Sequence, residues 1–208
     1  MRQPGTRQLA TIRAAVFAVC LIPLARLVAL GVTGGLGANP VEAVTRSTGW
    51  WTLTFLCITL LVTPLRRTTG ANWLLRLRRM LGLYAFFYAC LHFTTYIWLD
   101  VWFDLAAVAK DIFKRPFITV GFCTFVLLWP LAITSTNAMQ RRLGRAWARL
   151  HRLVYAIVAL GVVHFWWLVK RDITQPAIFA LVVLVLFAAR LVPKARAGNW
   201  RGRPALER

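Results

Sequence analysis

Acidic residues are scarce in this sequence: six occur among 208 residues, against 26 lysines and arginines, and the formal net charge is +20. Such an excess of positive charge can indicate nucleic-acid binding, where basic residues cluster on one face of a domain. Here they form short clusters at the ends of apolar runs. That placement is typical of membrane proteins that follow the positive-inside rule. We therefore expect no nucleic-acid partner.

Several sequence features that would indicate other functions are missing. No Asp or Glu lies within the apolar runs, which argues against a proton-coupled transporter. The sequence contains no Walker A, GxGxxG or HExxH motif, so it has no visible nucleotide or protease site. Its four cysteines, Cys20, Cys57, Cys90 and Cys123, are spread over separate apolar runs without a CxxC pair. We interpret them as packing residues rather than metal or disulfide ligands.

What the sequence does contain is apolar residues, which make up 59% of the chain and give a mean hydropathy of +0.63. In soluble proteins, apolar residues usually make up about 45–50% of the chain. Six runs are long enough to approach the roughly 20 residues that cross a bilayer. The runs cover about 14–32, 49–65, 80–99, 116–134, 149–170 and 176–192. The sequence therefore predicts an all-α integral membrane protein with a bundle of six transmembrane helices.

The distribution of basic residues predicts the topology. Most lysines and arginines fall in the N-terminal arm, in the connections after the second and fourth runs, and in the C-terminal tail. By the positive-inside rule these segments are cytoplasmic, so both termini lie inside. We expect residues 1–13 to be a cytoplasmic arm, 14–192 the membrane domain, and 193–208 a basic cytoplasmic tail. The external loop 100–115 is expected to lie on the membrane surface as an amphipathic segment.

The chain has only three histidines, and all of them lie in apolar runs. Ionisable groups within membranes are costly and usually functional. At 1.5 Å per residue, His92 and His164 lie about 20 and 22 Å along their helices from the basic boundary, nearly level in the outer half. Two imidazoles at equal depth on separate helices can ligate one heme iron from opposite faces, and nearby aromatic residues suit a macrocycle. Packing with a single hydrogen bond is the alternative.

His151 differs because it lies near the cytoplasmic surface, with no histidine level with it on the third run. On a straight helix it would lie about 20 Å from His164 and be rotated from it by about 220°. The two cannot share one heme. Three roles stay open for His151: ligand of a second heme with another partner, orientation of a quinone or flavin, or an interfacial residue. Arg26 can likewise snorkel to the interface or face a heme propionate or quinone.

Two of the runs are also recognisable by their sequence. RRMLGLYAFFYACLHFTTYIWLD and GRAWARLHRLVYAIVALGVVHFWWLVK, with the connection ITSTNAMQRRLG, closely resemble heme-binding membrane subunits of bacterial periplasmic methionine sulfoxide reductase systems (the MsrQ family, formerly YedZ). This family belongs with the ferric-reductase-like transmembrane domains, which include the NADPH oxidases. The resemblance covers nearly the whole chain. It implies a six-span b-type cytochrome of the bacterial inner membrane, with heme histidines at His92, His151 and His164.

The resemblance also implies a function. Family members pass electrons from the quinol pool, or from a cytosolic flavin reductase, to a periplasmic molybdopterin-containing subunit that reduces methionine sulfoxide in oxidised envelope proteins. Members have also been associated with FMN. The wider superfamily uses two pairs of histidines, so three histidines leave one or two hemes open here. The chain would be a non-catalytic electron-transfer subunit of an oxidoreductase system.

Other functions are also considered. Because the chain ends soon after the sixth run, we expect no attached flavin or nucleotide domain, so electrons would arrive from another molecule. A stand-alone ferric or quinone-linked transmembrane cytochrome b would use iron or another protein as acceptor. A non-redox transporter or assembly factor would bind no heme.

Overall fold

The structure is a computed structural model that describes residues 4–169 and 171–191, and within these ranges the secondary structure is helical, without strands. A short 3-10 helix, Asn72–Leu74, precedes α3, and a π-helical turn, Tyr96–Asp100, continues it. The α-helices are α1 Thr6–Val32, α2 Pro40–Thr69, α3 Leu75–Thr95, α4 Leu105–Lys114, α5 Pro116–Ile133, α6 Asn137–Leu143, α7 Arg145–Leu150, α8 Leu153–Leu168 and α9 Thr174–Leu191. The predicted basic tail, 193–208, lies outside the described residues.

Six helical segments in the described ranges are long and apolar enough to cross a membrane, which confirms the predicted number of spans. These segments are Thr6–Val32, Pro40–Thr69, Asn72–Asp100, Pro116–Ile133, Arg145–Leu168 and Thr174–Leu191. The protein is therefore an all-α, multi-pass membrane protein. Which side of the membrane holds the termini stays a prediction.

Two helices begin well before the apolar runs that mark them in the sequence. The first helix begins at Thr6 rather than near residue 14, and α2 begins at Pro40 rather than near residue 49. At the start of α2, the Asn39 side chain accepts a hydrogen bond from the Glu42 backbone N–H at 3.2 Å. Proline at the first helical position and an acidic residue in the first turn add to this start signal.

The bundle contains two extensively packed helix pairs. The largest interface joins α2 to α3, and the next joins α5 to α8. Smaller contacts between α2 and α8 and between α3 and α5 connect the two pairs. Leu60, Tyr88, Ile157 and Val158 are almost completely buried where these helices meet. The arrangement places His92, on α3, opposite His164, on α8.

The first helix lies at the periphery and is tied to α3 by tyrosine hydroxyls. It buries only Leu9, Cys20 and Pro23 among its described residues. The buried Tyr88 hydroxyl donates to the Cys20 carbonyl at 2.9 Å and accepts from the Leu24 N–H at 3.2 Å, next to Pro23. Backbone groups inside a bilayer have no water as an alternative partner. Tyr88 therefore makes two hydrogen bonds to the backbone of α1 with one hydroxyl.

Replacing Tyr88 by phenylalanine is expected to lower the free energy of unfolding in detergent by about 1–3 kcal/mol, because both of these interhelical hydrogen bonds are lost. Tyr84→Phe is the matched control: its hydroxyl donates one bond, to the Phe17 carbonyl at 2.9 Å. That loss should cost about 0.5–1.5 kcal/mol. Thermal unfolding monitored by circular dichroism measures both variants. A Tyr88→Phe variant as stable as the wild type would contradict this role.

The connection between α3 and α5 forms a short amphipathic helix, α4. Asp104 caps it by accepting from the Ala106 and Ala107 N–H groups at 2.9 and 3.0 Å. Just before the cap, Trp102 and Phe103 adopt φ values of 50° and 60°, a strained conformation for bulky residues. Along α4, Val108 is buried and Ile112 is half-buried, whereas Lys110 and Lys114 are exposed. The helix is thus amphipathic, as expected for loop 100–115, and its position on the membrane surface stays a prediction.

Candidate functional site

A cavity of about 500 Å³ lies between α2, α3, α5 and α8, at the end of the bundle where α2 and α5 begin. We call this end the mouth end. The lining includes both His92 and His164, and Val108 and Ile112 of α4 close one side. Apolar and aromatic side chains form most of the remaining wall, among them Leu53, Phe93, Phe117, Phe122, Phe125 and Phe165. Its volume is in the range typical of cofactor sites.

The two histidine rings face each other across this cavity. Their centroids are 6.2 Å apart, and the ring planes make an angle of 75°. Two metal–nitrogen bonds of about 2 Å each, together with the radii of two imidazole rings, separate ring centroids by about 6 Å when both rings bind one metal ion. The structure thus brings the two rings together, as their equal depth along the helices predicts, and their spacing fits a single iron. Ligation of a heme iron stays a prediction.

Hydrogen bonds to neighbouring helices determine the tautomer of each ring. His92 Nδ1 is 2.9 Å from the Thr45 carbonyl oxygen of α2, and His164 Nδ1 is 2.6 Å from the Phe117 carbonyl oxygen of α5. A carbonyl can only accept, so Nδ1 carries the proton in both rings, and in the neutral imidazole Nε2 then keeps its lone pair. Donation from one ring nitrogen to a carbonyl is the usual arrangement of a metal-ligating histidine. Both rings therefore leave Nε2 available as a ligand atom.

Charged and polar side chains lie at the mouth end of the cavity. Arg46 and Arg115 are part of the lining. Arg46 forms an ion pair with Glu42 at 2.8 Å, and Arg115 forms one with Asp111 at 3.2 Å. Asp100 is part of the lining as well, so the mouth end carries charged groups of both signs.

A second cavity of about 410 Å³ adjoins the first and is more open to the surface. It shares Arg46 and Gln175 with the first cavity. The Trp50 indole N–H donates to the Gln175 Oε1 atom at 3.1 Å. Hydrogen bonds from the Thr174 side chain and backbone N–H lower the pKa of Asp172, which also lines this second cavity. The carboxylate therefore stays ionised beside the mouth end.

His151 lies at the other end of the fifth span and is not among the residues that line the cavity. Its ring stacks on Trp147 at 3.9 Å between centroids, and its Nδ1 is 3.1 Å from the Trp147 carbonyl oxygen. The Nε2 atom is buried, with no hydrogen-bond partner in the described part of the chain. The helix is interrupted by a turn at His151 and Arg152, so the rotation expected for a straight helix does not apply. The role of His151 stays a prediction.

Some of the other residues that the sequence suggested for the heme site line the cavity, and others do not. Of the aromatic residues near the histidines, Phe93, Tyr96 and Phe165 line the cavity. Phe86, Phe87, Trp166 and Trp167 are not part of its lining. Arg26 is exposed on α1 and is not part of the lining either, so the structure does not bring it to this site.

Sequence reasoning missed Arg46, Arg115 and Gln175 as residues of the site. Each lies near the start of a helix at the mouth end, and a comparison of helix starts at that end could have found them. The partner carbonyls of Thr45 and Phe117 leave no signal in a sequence, because any residue type supplies a carbonyl.

Comparisons with known proteins agree with this architecture. Residues 48–162 match the family described as ferric reductase like transmembrane component. The chain is 58% identical to a protein-methionine-sulfoxide reductase heme-binding subunit MsrQ of Herminiimonas arsenicoxydans, over 90% of this chain and 88% of the relative. An MsrQ of Ralstonia nicotianae is 57% identical over 89% and 87%. An MsrQ of Azospira oryzae is 53% identical over 95% and 86%.

Proposed function

The chain belongs to the MsrQ family, within the ferric-reductase-like transmembrane proteins, and on this premise we propose that it is a b-type cytochrome that carries electrons across the membrane to a methionine sulfoxide reductase. One observation supports the proposal most strongly. The rings of two histidines lie 6.2 Å apart between centroids in a mostly apolar cavity of about 500 Å³. Bis-histidine ligation leaves no open coordination position on a heme iron, which suits electron transfer.

The residues of the cavity match the chemistry of heme b. His92 and His164 would hold the iron from opposite sides. The phenylalanine-rich wall would exclude water from the macrocycle, and a dry surrounding helps to set the potential of the iron. Arg46 and Arg115 would exchange their carboxylate partners, Glu42 and Asp111, for the anionic propionates at the mouth end, where charge-assisted hydrogen bonds are strong. These roles come from the lining residues and their charges.

The path of the electrons follows from the predicted topology. With both termini in the cytoplasm, the mouth end faces the periplasm of a bacterium. Electrons would enter from the quinol pool or from a cytosolic flavin reductase, with FMN as an additional carrier. They would leave at the mouth end to a periplasmic molybdopterin-containing methionine sulfoxide reductase that repairs oxidised proteins. The loops 100–115 and 170–175 would dock this partner. The segments 1–13 and 193–208 would lie on the cytoplasmic side.

The first test is a reduced-minus-oxidised spectrum of the detergent-purified protein, with heme quantified per chain. We expect the bands of a low-spin b-type heme, because both axial positions would be filled by imidazole. The supply of heme during expression must be ample. A purified protein without heme under these conditions would contradict the proposal and would favour a non-redox transporter or assembly role.

Replacing His151 by alanine tests the number of hemes. We expect the spectrum of the His92/His164 heme to be unchanged, because His151 does not line that cavity. A wild-type protein with two hemes per chain that retains one in His151→Ala would identify His151 as a ligand of a second heme. Heme quantification and the reduced spectrum of both proteins give the answer. Loss of the low-spin signal in His151→Ala would contradict the assignment of the first heme to His92 and His164 alone.

The family match favours a second candidate function, a stand-alone ferric or quinone-linked reductase. Vesicles containing the protein and an internal reductant would then reduce ferric chelates outside without the methionine sulfoxide reductase. Our proposal predicts that the reductase partner, supplied with oxidised methionine, accepts electrons much faster than the chelates do. Equal rates for both acceptors would favour the stand-alone reductase.

A further inference from the structure

Two glycines lie directly against the histidine rings. Gly49 of α2 faces His92, and a Cβ atom added to it would lie 3.0 Å from Cε1 and 3.1 Å from Nδ1 of that ring. Gly121 of α5 faces His164, and its added Cβ would lie 2.7 Å from both Cε1 and Nδ1. Both separations are shorter than normal carbon contacts. Neither imidazole could keep its present position beside an alanine.

The same arrangement occurs at both histidines. Each glycine comes four residues after the residue whose carbonyl accepts from that ring: Thr45 precedes Gly49, and Phe117 precedes Gly121. On an α-helix, the Cα–Cβ bond tilts towards the N-terminus, so a side chain covers the turn before it. A side chain four residues later would therefore shield the carbonyl. Glycine leaves that oxygen accessible to a second donor from the neighbouring helix.

Other glycines in the membrane helices do not show this close approach. A Cβ on Gly82 would lie 3.8 Å from Thr59 Cγ2, and one on Gly161 would lie 3.4 Å from Leu53 Cδ1. Both distances are ordinary van der Waals contacts. The close approach at Gly49 and Gly121 is therefore specific to the histidines rather than a general feature of helix packing in this bundle.

We propose that Gly49 and Gly121 are positioning residues that fix the orientation and the Nδ1–H hydrogen bond of the two histidine ligands. The inference rests on the proposed function, since it assumes that a heme iron lies between the rings. The Nδ1–H bond to a carbonyl makes a histidine a more basic ligand. A more basic ligand stabilises ferric over ferrous iron. The glycines therefore affect the redox potential as well as the geometry of the site.

Gly121→Ala and Gly49→Ala test this inference, with Gly82→Ala as the matched control in another membrane helix. Loss of a supporting hydrogen bond typically weakens metal binding about 10- to 100-fold. We expect a loss of heme affinity of this size in Gly121→Ala, because the added Cβ would overlap the His164 ring more than the Cβ of Gly49→Ala would overlap the His92 ring. In Gly49→Ala, where the ring needs to move by only a few tenths of an ångström, we expect heme to be retained with a more positive midpoint potential.

The low-spin ferric electron paramagnetic resonance signal gives a further measurement, because it depends on the angle between the two imidazole planes, 75° in this structure. Both glycine variants should change this signal, whereas Gly82→Ala should leave signal, potential and heme content as in the wild type. Folding of Gly121→Ala is judged by its helicity and by its elution volume in size-exclusion chromatography. If this variant does not fold, the result for Gly49→Ala tests the inference. A heme-containing wild type with an unchanged potential and signal in Gly49→Ala would overturn this inference. A wild type without heme would instead overturn the proposed function.

Discussion

Purified protein in which His164 or His92 is replaced by alanine is expected to lack the low-spin heme spectrum while keeping its helical bundle. Under the proposed function, each histidine would supply one ligand of the heme iron, and the apolar lining of the cavity offers no comparable nitrogen donor. Heme that remains would be weakly held or high-spin. The reduced-minus-oxidised spectrum and heme content per chain measure this loss, and circular dichroism measures helicity.

Val163→Ala is the matched control for this experiment. Val163 is adjacent to His164, is 39% exposed and is not part of the cavity lining. The heme content of the Val163→Ala variant should equal that of the wild type. A His164→Gly variant offers an additional check, because free imidazole can occupy the space of the missing ring and restore part of the spectrum. Normal heme spectra in both His92→Ala and His164→Ala would refute the assignment of the ligands.

Electron transfer across a membrane is expected to fall to the background rate of empty vesicles in the His164→Ala variant. The hydrocarbon core is about 30 Å thick, so a carrier within it is needed for electrons to pass. The assay uses vesicles that contain the protein, a reductant inside and the methionine sulfoxide reductase with its substrate outside. Oxidised methionine consumed per unit time is the measured rate.

Two controls separate loss of the carrier from damage to the vesicles. Val163→Ala should retain the wild-type rate. A lipid-soluble quinone added to vesicles with His164→Ala should restore reduction, because it carries electrons without the protein. A His164→Ala variant that conducts as fast as the wild type without such an additive would show that this histidine pair is not on the electron path.

Much of the fold and part of the site follow from sequence arguments alone. The six spans are visible because each is a long apolar run bounded by basic or loop residues. Counting residues from the basic boundaries places His92 and His164 at one level, and the structure brings their rings to 6.2 Å. The depth of a residue in a membrane helix can be obtained by counting residues, because each residue adds a fixed rise of about 1.5 Å.

The remaining features depend on how helices are rotated and paired, which the sequence does not express as a pattern. Nothing near Gly49 or Gly121 indicates that a ring from another helix rests on it. The interruption at His151 was also not predicted, because no glycine or proline lies at that turn. Hydrogen bonds between residues three apart, such as Arg152 N–H to the Arg149 carbonyl at 3.1 Å, replace the regular helical pattern there.

The division of the bundle into two helix pairs has a consequence for its assembly. The pair α2–α3 contributes one histidine, one glycine and one accepting carbonyl, and the pair α5–α8 contributes the equivalent set. Each pair packs more extensively within itself than against the other. Under the proposed function, a heme iron bound by one histidine from each pair would link the two helix pairs. Its binding free energy would add to the stability of the folded protein. In cells short of heme, the two pairs would separate more readily and membrane proteases would clear the chain sooner.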